Sequence, residues 1–156
     1  TDFKLEVEWR WPPGAEPGNS GVLLRINGDP KALPRCLESQ LKHESAGDLY
    51  GFHGMKVSGD RERKTETKGH ELGGDMVGLK KIVGNENPPG EWNRMEIVAE
   101  GLRLAVWVNG KLVNEASLAD VVWGPLGLQS EGGEIQFRTV RLSPIPAAVP
   151  RGSHSL

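Results

Sequence analysis

One cysteine, Cys36, stands in 156 residues, so no disulfide can form within the chain. A chain without bridges suits a reducing cytosol, and equally a bacterial secreted protein that does without them. Positive charge is not in excess: 19 Lys and Arg against 21 Asp and Glu leave a net charge of −2. That balance removes the electrostatic drive toward nucleic acid or an anionic membrane. No apolar run approaches the ~20 residues of a membrane-spanning helix. The four histidines, His43, His53, His70 and His154, show no ligand spacing and read as solvent or loop residues, with no metal site. There is no Walker loop, no G-x-S-x-G elbow and no H-E-x-x-H. Cys36 lies between Pro34-Arg35 and Leu37 without a Cys/His signature, which argues against a nucleophile. A sustained helical period is missing too.

What the chain has is alternation. Twenty-one glycines and eleven prolines punctuate apolar runs of period two, the pattern of strands joined by turns. "FKLEVEWRW" (3–11) sets Phe3, Leu5, Val7, Trp9 and Trp11 against Lys4, Glu6, Glu8 and Arg10. "GVLLRI" (21–26), "CLESQL" (36–41), "GDLYGF" (47–52) and "WNRMEIVAEG" (92–101) read as further strands. In "LRLAVWVNGKLVNEA" (102–116), Asn109-Gly110 divides two alternating runs, the strongest short-range hairpin signal. "GPLGLQ" (124–129) and "EIQFRTVRLSP" (134–144) complete the set. The charged run 58–75 reads as a long loop enclosing a hairpin, "GLKKIVG" (78–84) as a short strand, and "SLADVVW" (117–123) as one helical turn. The fold class is therefore all-β, a two-sheet antiparallel sandwich or barrel.

Two residue types point to a site. Glu38 and Gln40 lie on the face of their strand opposite Leu37 and Leu41. Glu131 follows Gln129 by two residues, and paired carboxylates can serve as acid and base at a glycosidic bond. Five of the few aromatics are tryptophans, and Trp107 shares its strand face with Arg103 and Asn109. A flat apolar ring beside hydrogen-bonding groups matches the C–H face of a sugar.

The ordered set "GNSGVLLR" (18–25), "LESQL" (37–41), "LYG" (49–51), "PPGEWNRMEIVAEG" (88–101), "VWVNGKLV" (106–113) and "GPLGLQSEGGEIQFRTVRL" (124–142) resembles the 3-keto-disaccharide hydrolase family. The resemblance spans residues 2–144. It implies a concanavalin A-like jelly roll with sugar bound on a concave sheet, and a bacterial periplasmic or extracellular setting. It makes residues 1–145 one β-sandwich domain, cut from a longer chain and lacking the family's N-terminal strands, so that another segment or chain would complete a sheet edge. Residues 146–156 read as a flexible tail with the look of a protease-site and tag remnant.

Matched motif by motif, the resemblance implies Glu38, Glu131 and Arg25 as catalytic residues. Gln40, Tyr50, Trp92, Asn93, Gln129 and Arg138 would bind substrate, together with the Trp107 read from its strand face. Many relatives carry an acidic residue soon after E-x-Q; Lys42-His43 stands there instead, which implies a shifted substrate preference or lost chemistry. The family chemistry follows from a ketone at sugar C3, which acidifies the C2 proton. A base (Glu38 or Glu131) removes it, a donor or cation (Arg25 or Arg138) holds the enolate, and the C1 group leaves before water adds. A divalent metal at the enolate is compatible with this chemistry, yet no ligand set is visible. The partner expected is a carbohydrate. The competing reading is a non-catalytic, laminin G-like carbohydrate-binding module of a larger protein; a purely structural interaction domain ranks third.

Overall fold

A computed structural model describes residues 2–119 and 123–146. Twelve strands occur among them: β1 (Phe3–Arg10), β2 (Asn19–Asn27), β3 (Arg35–Gln40), β4 (Leu49–Gly51), β5 (Val57–Ser58), β6 (Lys64–His70), β7 (Gly74–Leu79), β8 (Asn93–Glu100), β9 (Arg103–Val108), β10 (Lys111–Leu118), β11 (Gly127–Glu131) and β12 (Gln136–Pro144). The one helical element described is a 3-10 turn, Arg61–Arg63. The first sheet runs β12-β1-β8-β9-β10-β5 and the second β11-β2-β3-β4-β7-β6, each six-stranded. Neighbours pair antiparallel throughout both. This is the expected two-sheet jelly-roll sandwich.

Alternation places the core. Leu5, Val7 and Trp9 of β1 and Met95, Ile97 and Ala99 of β8 face Val22, Leu24, Leu37, Leu49 and Leu79 of the second sheet, all essentially without solvent exposure. Each large apolar side chain so buried contributes about 1.5–3 kcal/mol. The hairpin at Asn109-Gly110 forms as its sequence requires, with φ of 49° and 80° at the two turn residues. Val108 pairs with Lys111 and Trp107 with Leu112, and a bulge follows at Val113.

Three local expectations change. Residues 78–84 hold no strand beyond Leu79, where bonds to backbone and to side chains alternate instead of forming one ladder: Lys80 N and Ile82 N donate to Arg63 O and Val113 O. Asn114 Nδ2 donates to Leu79 O at 2.9 Å, and Lys81 N donates to Asp48 Oδ1 at 2.8 Å. The charged run 58–75 does contain a hairpin, but a larger one than a loop would hold: the edge strand β6 pairs antiparallel with β7, which runs on to Leu79. In 117–123, Ser117 and Leu118 continue β10, and residues 120–122 lie outside the described residues. So does the expected tail from residue 147 onward.

The face of the second sheet turned away from the core is not simply wet. All residues of β3 after Arg35 are buried, on both faces. A second apolar cluster, Leu23, Cys36 and Phe52 with Leu33, Tyr50 and Met76 against it, accounts for part of that cover. On one flank of the sandwich, β11 and β12 are edge strands. Their core-facing Leu128, Val140 and Leu142 remain about half exposed there.

Candidate functional site

The outer face of the second sheet carries a cavity of about 540 Å³. Its floor is set by strand register. Leu23, Glu38, Tyr50 and Gly78 lie in one cross-strand row, and Gln129, Gly21 and Gln40 in the next. Glycine is required in both rows. A Cβ at Gly21 would lie 2.0 Å from Glu38 Oε1, and one at Gly78 would lie 3.0 Å from the Tyr50 ring. The missing side chains let Glu38 and Tyr50 lie down along the sheet.

Glu38 is the unusual group. It is 3% exposed, and among the described residues no donor reaches its carboxyl. Burial, with a smaller push from the charge of Glu131, raises its pKa to about 7. Burial, then Asp48 and Glu38, raises the Tyr50 phenol as well, so it stays protonated and able to donate. Glu131 is held from one side: Asn19 Nδ2 and Gln129 Nε2 donate to its Oε2 at 3.1 and 3.3 Å. The amide oxygens of Asn19 and Gln129 are buried without a partner among the described residues. Gln40 is oriented by its own backbone, since its Oε1 accepts from Leu41 N at 3.1 Å and Lys42 N at 3.0 Å. That leaves its Nε2 as the donor for the cavity it lines.

The cavity thus gathers Glu38, Gln40, Tyr50, Gln129 and Glu131 from the expected set. Five other candidates lie elsewhere. Arg25 should share the face of Leu23 by parity, but β2 bulges between Leu24 and Asn27 and Arg25 adopts φ 54°. It lines a separate cavity of about 290 Å³ beside Asp2, Phe3 and Leu142, residues of the first sheet's flank. Trp92 and Arg138 sit at the first sheet: the guanidinium groups of Arg10 and Arg138 cover the Trp92 ring at 4.8 and 4.4 Å, and Arg138 Nε donates to Glu8 at 2.7 Å. Trp107 is half-buried on that sheet, opposite Glu96 and Leu112. Asn93 is buried and structural, its Oδ1 accepting from Asn87 N at 2.7 Å and Asn109 Nδ2 at 2.9 Å. Both arginines offered for the enolate are therefore away from Glu38.

Other lining residues carried no signal in the sequence beyond parity. Asn19 shares the face of Gly21 and Leu23, and Phe52 and Met76 follow from β4 and β7. His70, read as a loop histidine, ends β6 at the cavity. Its Nδ1 accepts from Leu72 N at 3.2 Å and Gly73 N at 3.1 Å. This arrangement assigns the proton of the neutral ring to Nε2. Cys36, two residues before Glu38 on β3, is buried with Leu23 and Phe52, and burial pushes its thiol up to about 12, which leaves it inert at neutral pH. Among the described residues no three His, Cys, Asp or Glu side chains are grouped to hold a metal ion. No described helix is long and apolar enough to cross a membrane.

No curated protein matches the chain. Solved structures share the fold. A candidate glycosyl hydrolase from Parabacteroides distasonis superposes with a TM-score of 0.62 at 18% identity, over 93% of this chain and 70% of that one. A second from the same organism gives 0.58 at 20%, over 92% and 78%. A family 66 carbohydrate-binding module from Bacillus subtilis gives 0.59 at 19%, over 91% and 74%. The sequence profile described as the 3-keto-alpha-glucoside-1,2-lyase-like domain matches residues 1–143, nearly the whole chain, and the protein belongs to that family.

Proposed function

We propose that the protein cleaves the glycosidic bond of a 3-keto-glycoside by elimination, with Glu38 as the base. One observation carries this reading: a carboxyl in a ligand-sized cavity, without a hydrogen-bond partner among the described residues, whose pKa of about 7 suits proton transfer at neutral pH. Glu38 takes the C2 proton. The C2–H electrons form the enolate toward O3, and the C1–O bond then breaks with its electrons leaving on the aglycone oxygen. Water adds to the resulting unsaturated sugar. Among the described residues no Lys or Arg lines the cavity, so the enolate is left to neutral donors, Gln40 Nε2 and the Tyr50 hydroxyl. The spare oxygens of Asn19 and Gln129 and the carboxylate of Glu131 suit sugar hydroxyls.

The lack of a lining cation is also the specific observation favouring the second reading, a carbohydrate-binding module without turnover. The two separate on one experiment. The protein is incubated with a 3-keto-disaccharide in deuterated water, and with its unoxidised parent. Release of the aglycone sugar from the oxidised substrate alone, with deuterium at C2 and an ascending rate limb near pH 7, supports elimination. Binding of either sugar with no release sinks it.

A further inference from the structure

The cavity is chemically divided, and the division runs across the strands. On the β11 and β2 side stand Gln129, Glu131 and Asn19, all polar. Glu38 and Gln40 occupy β3 in the middle. Beyond them, on the β4 and β7 side, the walls are Phe52, Met76, Leu33 and Leu72, without a charged group. Tyr50 marks the boundary, its ring parallel to Phe52 within 6° at a centroid distance of 6.1 Å. Leu72 is 51% exposed at the tip of the β6–β7 hairpin, where the His70 contacts to Leu72 N and Gly73 N fix the turn.

A sugar has no use for that half. Its hydroxyls would be desolvated against Leu33, Phe52, Leu72 and Met76 with little to bond. A flat apolar ring fits, covering Leu72 and stacking beyond Tyr50 and Phe52. Resting on the elimination reading above, we propose that the apolar half is the aglycone subsite and that the substrate class is 3-keto-glucosides of phenolic alcohols rather than of sugars. Leaving-group chemistry agrees. A phenol, with a pKa near the ~10 of tyrosine, departs as its anion far more readily than a sugar hydroxyl. Among the described residues, the exposed His70 ring also lines that side. The C1–O bond breaks, the pair stays on the phenolic oxygen, and solvent supplies the proton.

Steady-state rates on p-nitrophenyl 3-keto-α-glucoside and on a 3-keto-disaccharide are the test, with the wild type and Leu72→Ser. Leu72 is exposed, so the variant should fold. The expected result is a kcat/KM at least about tenfold higher for the aryl substrate, lowered about tenfold in Leu72→Ser mainly through KM. That is the worth of covering one leucine. The disaccharide rate should fall less, so that the preference for the aryl substrate shrinks in the variant. Equal rates on both substrates, or a Leu72→Ser effect equal on both, overturns the subsite while leaving elimination standing. If neither substrate is cleaved, elimination fails, and calorimetry decides the subsite separately. Tighter binding of p-nitrophenyl α-glucoside than of methyl α-glucoside, abolished in Leu72→Ser, sustains it; equal binding overturns it.

Discussion

The two sheets are of equal size, and each turns a polar-looking face away from the shared core, yet those faces are built on opposite principles. On the first sheet charges meet partners. Lys4 bridges Glu6 at 3.5 Å and Glu96 at 3.4 Å, Arg94 binds Glu6 and Glu96, Arg138 binds Glu8, and Arg103 binds Glu115 at 2.6 Å. Hydrogen bonds from Arg94 to Glu6, and from Thr139 and Arg138 to Glu8, hold those carboxyls below the usual carboxylate range. On the second sheet Glu38 is buried with no donor among the described residues, and its pKa rises to about 7. A paired surface carboxylate is chemically spent. An unpaired buried one keeps its proton affinity for something else, which is why the cavity on the second sheet, rather than the tryptophan-bearing first sheet, is proposed as the site.

The sharpest way to break this contrast is to neutralise one carboxyl on each face. Glu38→Gln should keep sugar affinity and lower turnover by a factor of ~10²–10⁴, the worth of a positioned base. Glu8→Gln should leave turnover unchanged. If Glu8→Gln proved as damaging, the site would belong on the first sheet.

The same contrast predicts opposite pH slopes for stability. The folded-state pKa of Glu38 is raised from 4.5 to about 7, so between those values the folded protein binds a proton that the unfolded chain releases. Stability therefore falls as pH rises through that window, by roughly 3 kcal/mol at most once above pH 7. Glu6 and Glu8 are lowered, so their contribution is present above the unfolded value and lost as pH falls below it. Denaturant melts of the wild type and Glu38→Gln from pH 4 to 8 should show the variant gaining on the wild type between pH 5 and 7. A constant difference would mean Glu38 has an ordinary pKa.

Gly21→Ala is a finer probe of the same carboxyl. The new Cβ overlaps the far end of the Glu38 side chain rather than backbone, so stability should fall by only about 1 kcal/mol. The displaced carboxyl should cost turnover roughly 10²-fold. Turnover unchanged in a folded Gly21→Ala protein would show that the position of Glu38 does not matter. By comparison Gly110→Val, far from the cavity at φ 80°, should destabilise by about 1 kcal/mol or more and leave turnover alone.

How much of this was legible in the sequence follows from where each strand lies. β1 and β8 alternate cleanly because one side meets the core and the other meets water, so their parity transfers directly to burial. β6 is an edge strand with almost every residue exposed, and nothing in "KTETKGH" needs to alternate. Glu38 and Gln40 were placed on the right face by parity alone. Arg25 was not, because a bulge at an arginine with positive φ has no marker in the residue type. Trp92, Trp107 and Arg138 were misplaced for a deeper reason. Both sheets have an outer face of the same period-two signature, and the pattern of a strand does not say which sheet it joins. Only pairing registers separate an ion-pair ladder from a ligand cavity.

The smallest effect tests that last distinction. Arg138→Gln removes the bond to Glu8 and one of the two guanidinium groups over Trp92. The pair is solvent-exposed, with half of the Arg138 side chain accessible, so screening limits its value. The stacked ring adds about 0.5–1 kcal/mol at such a site. The expected loss is therefore about 1 kcal/mol or less, shrinking as salt is raised, with kcat/KM on a 3-keto-glycoside unchanged. Were Arg138 the group that holds the enolate, the result would invert: stability would stay near the wild type while kcat fell by two orders of magnitude or so, as removal of an oxyanion donor does. A melt and a rate on one variant thus decide whether this arginine belongs to the charge ladder of the first sheet or to the chemistry.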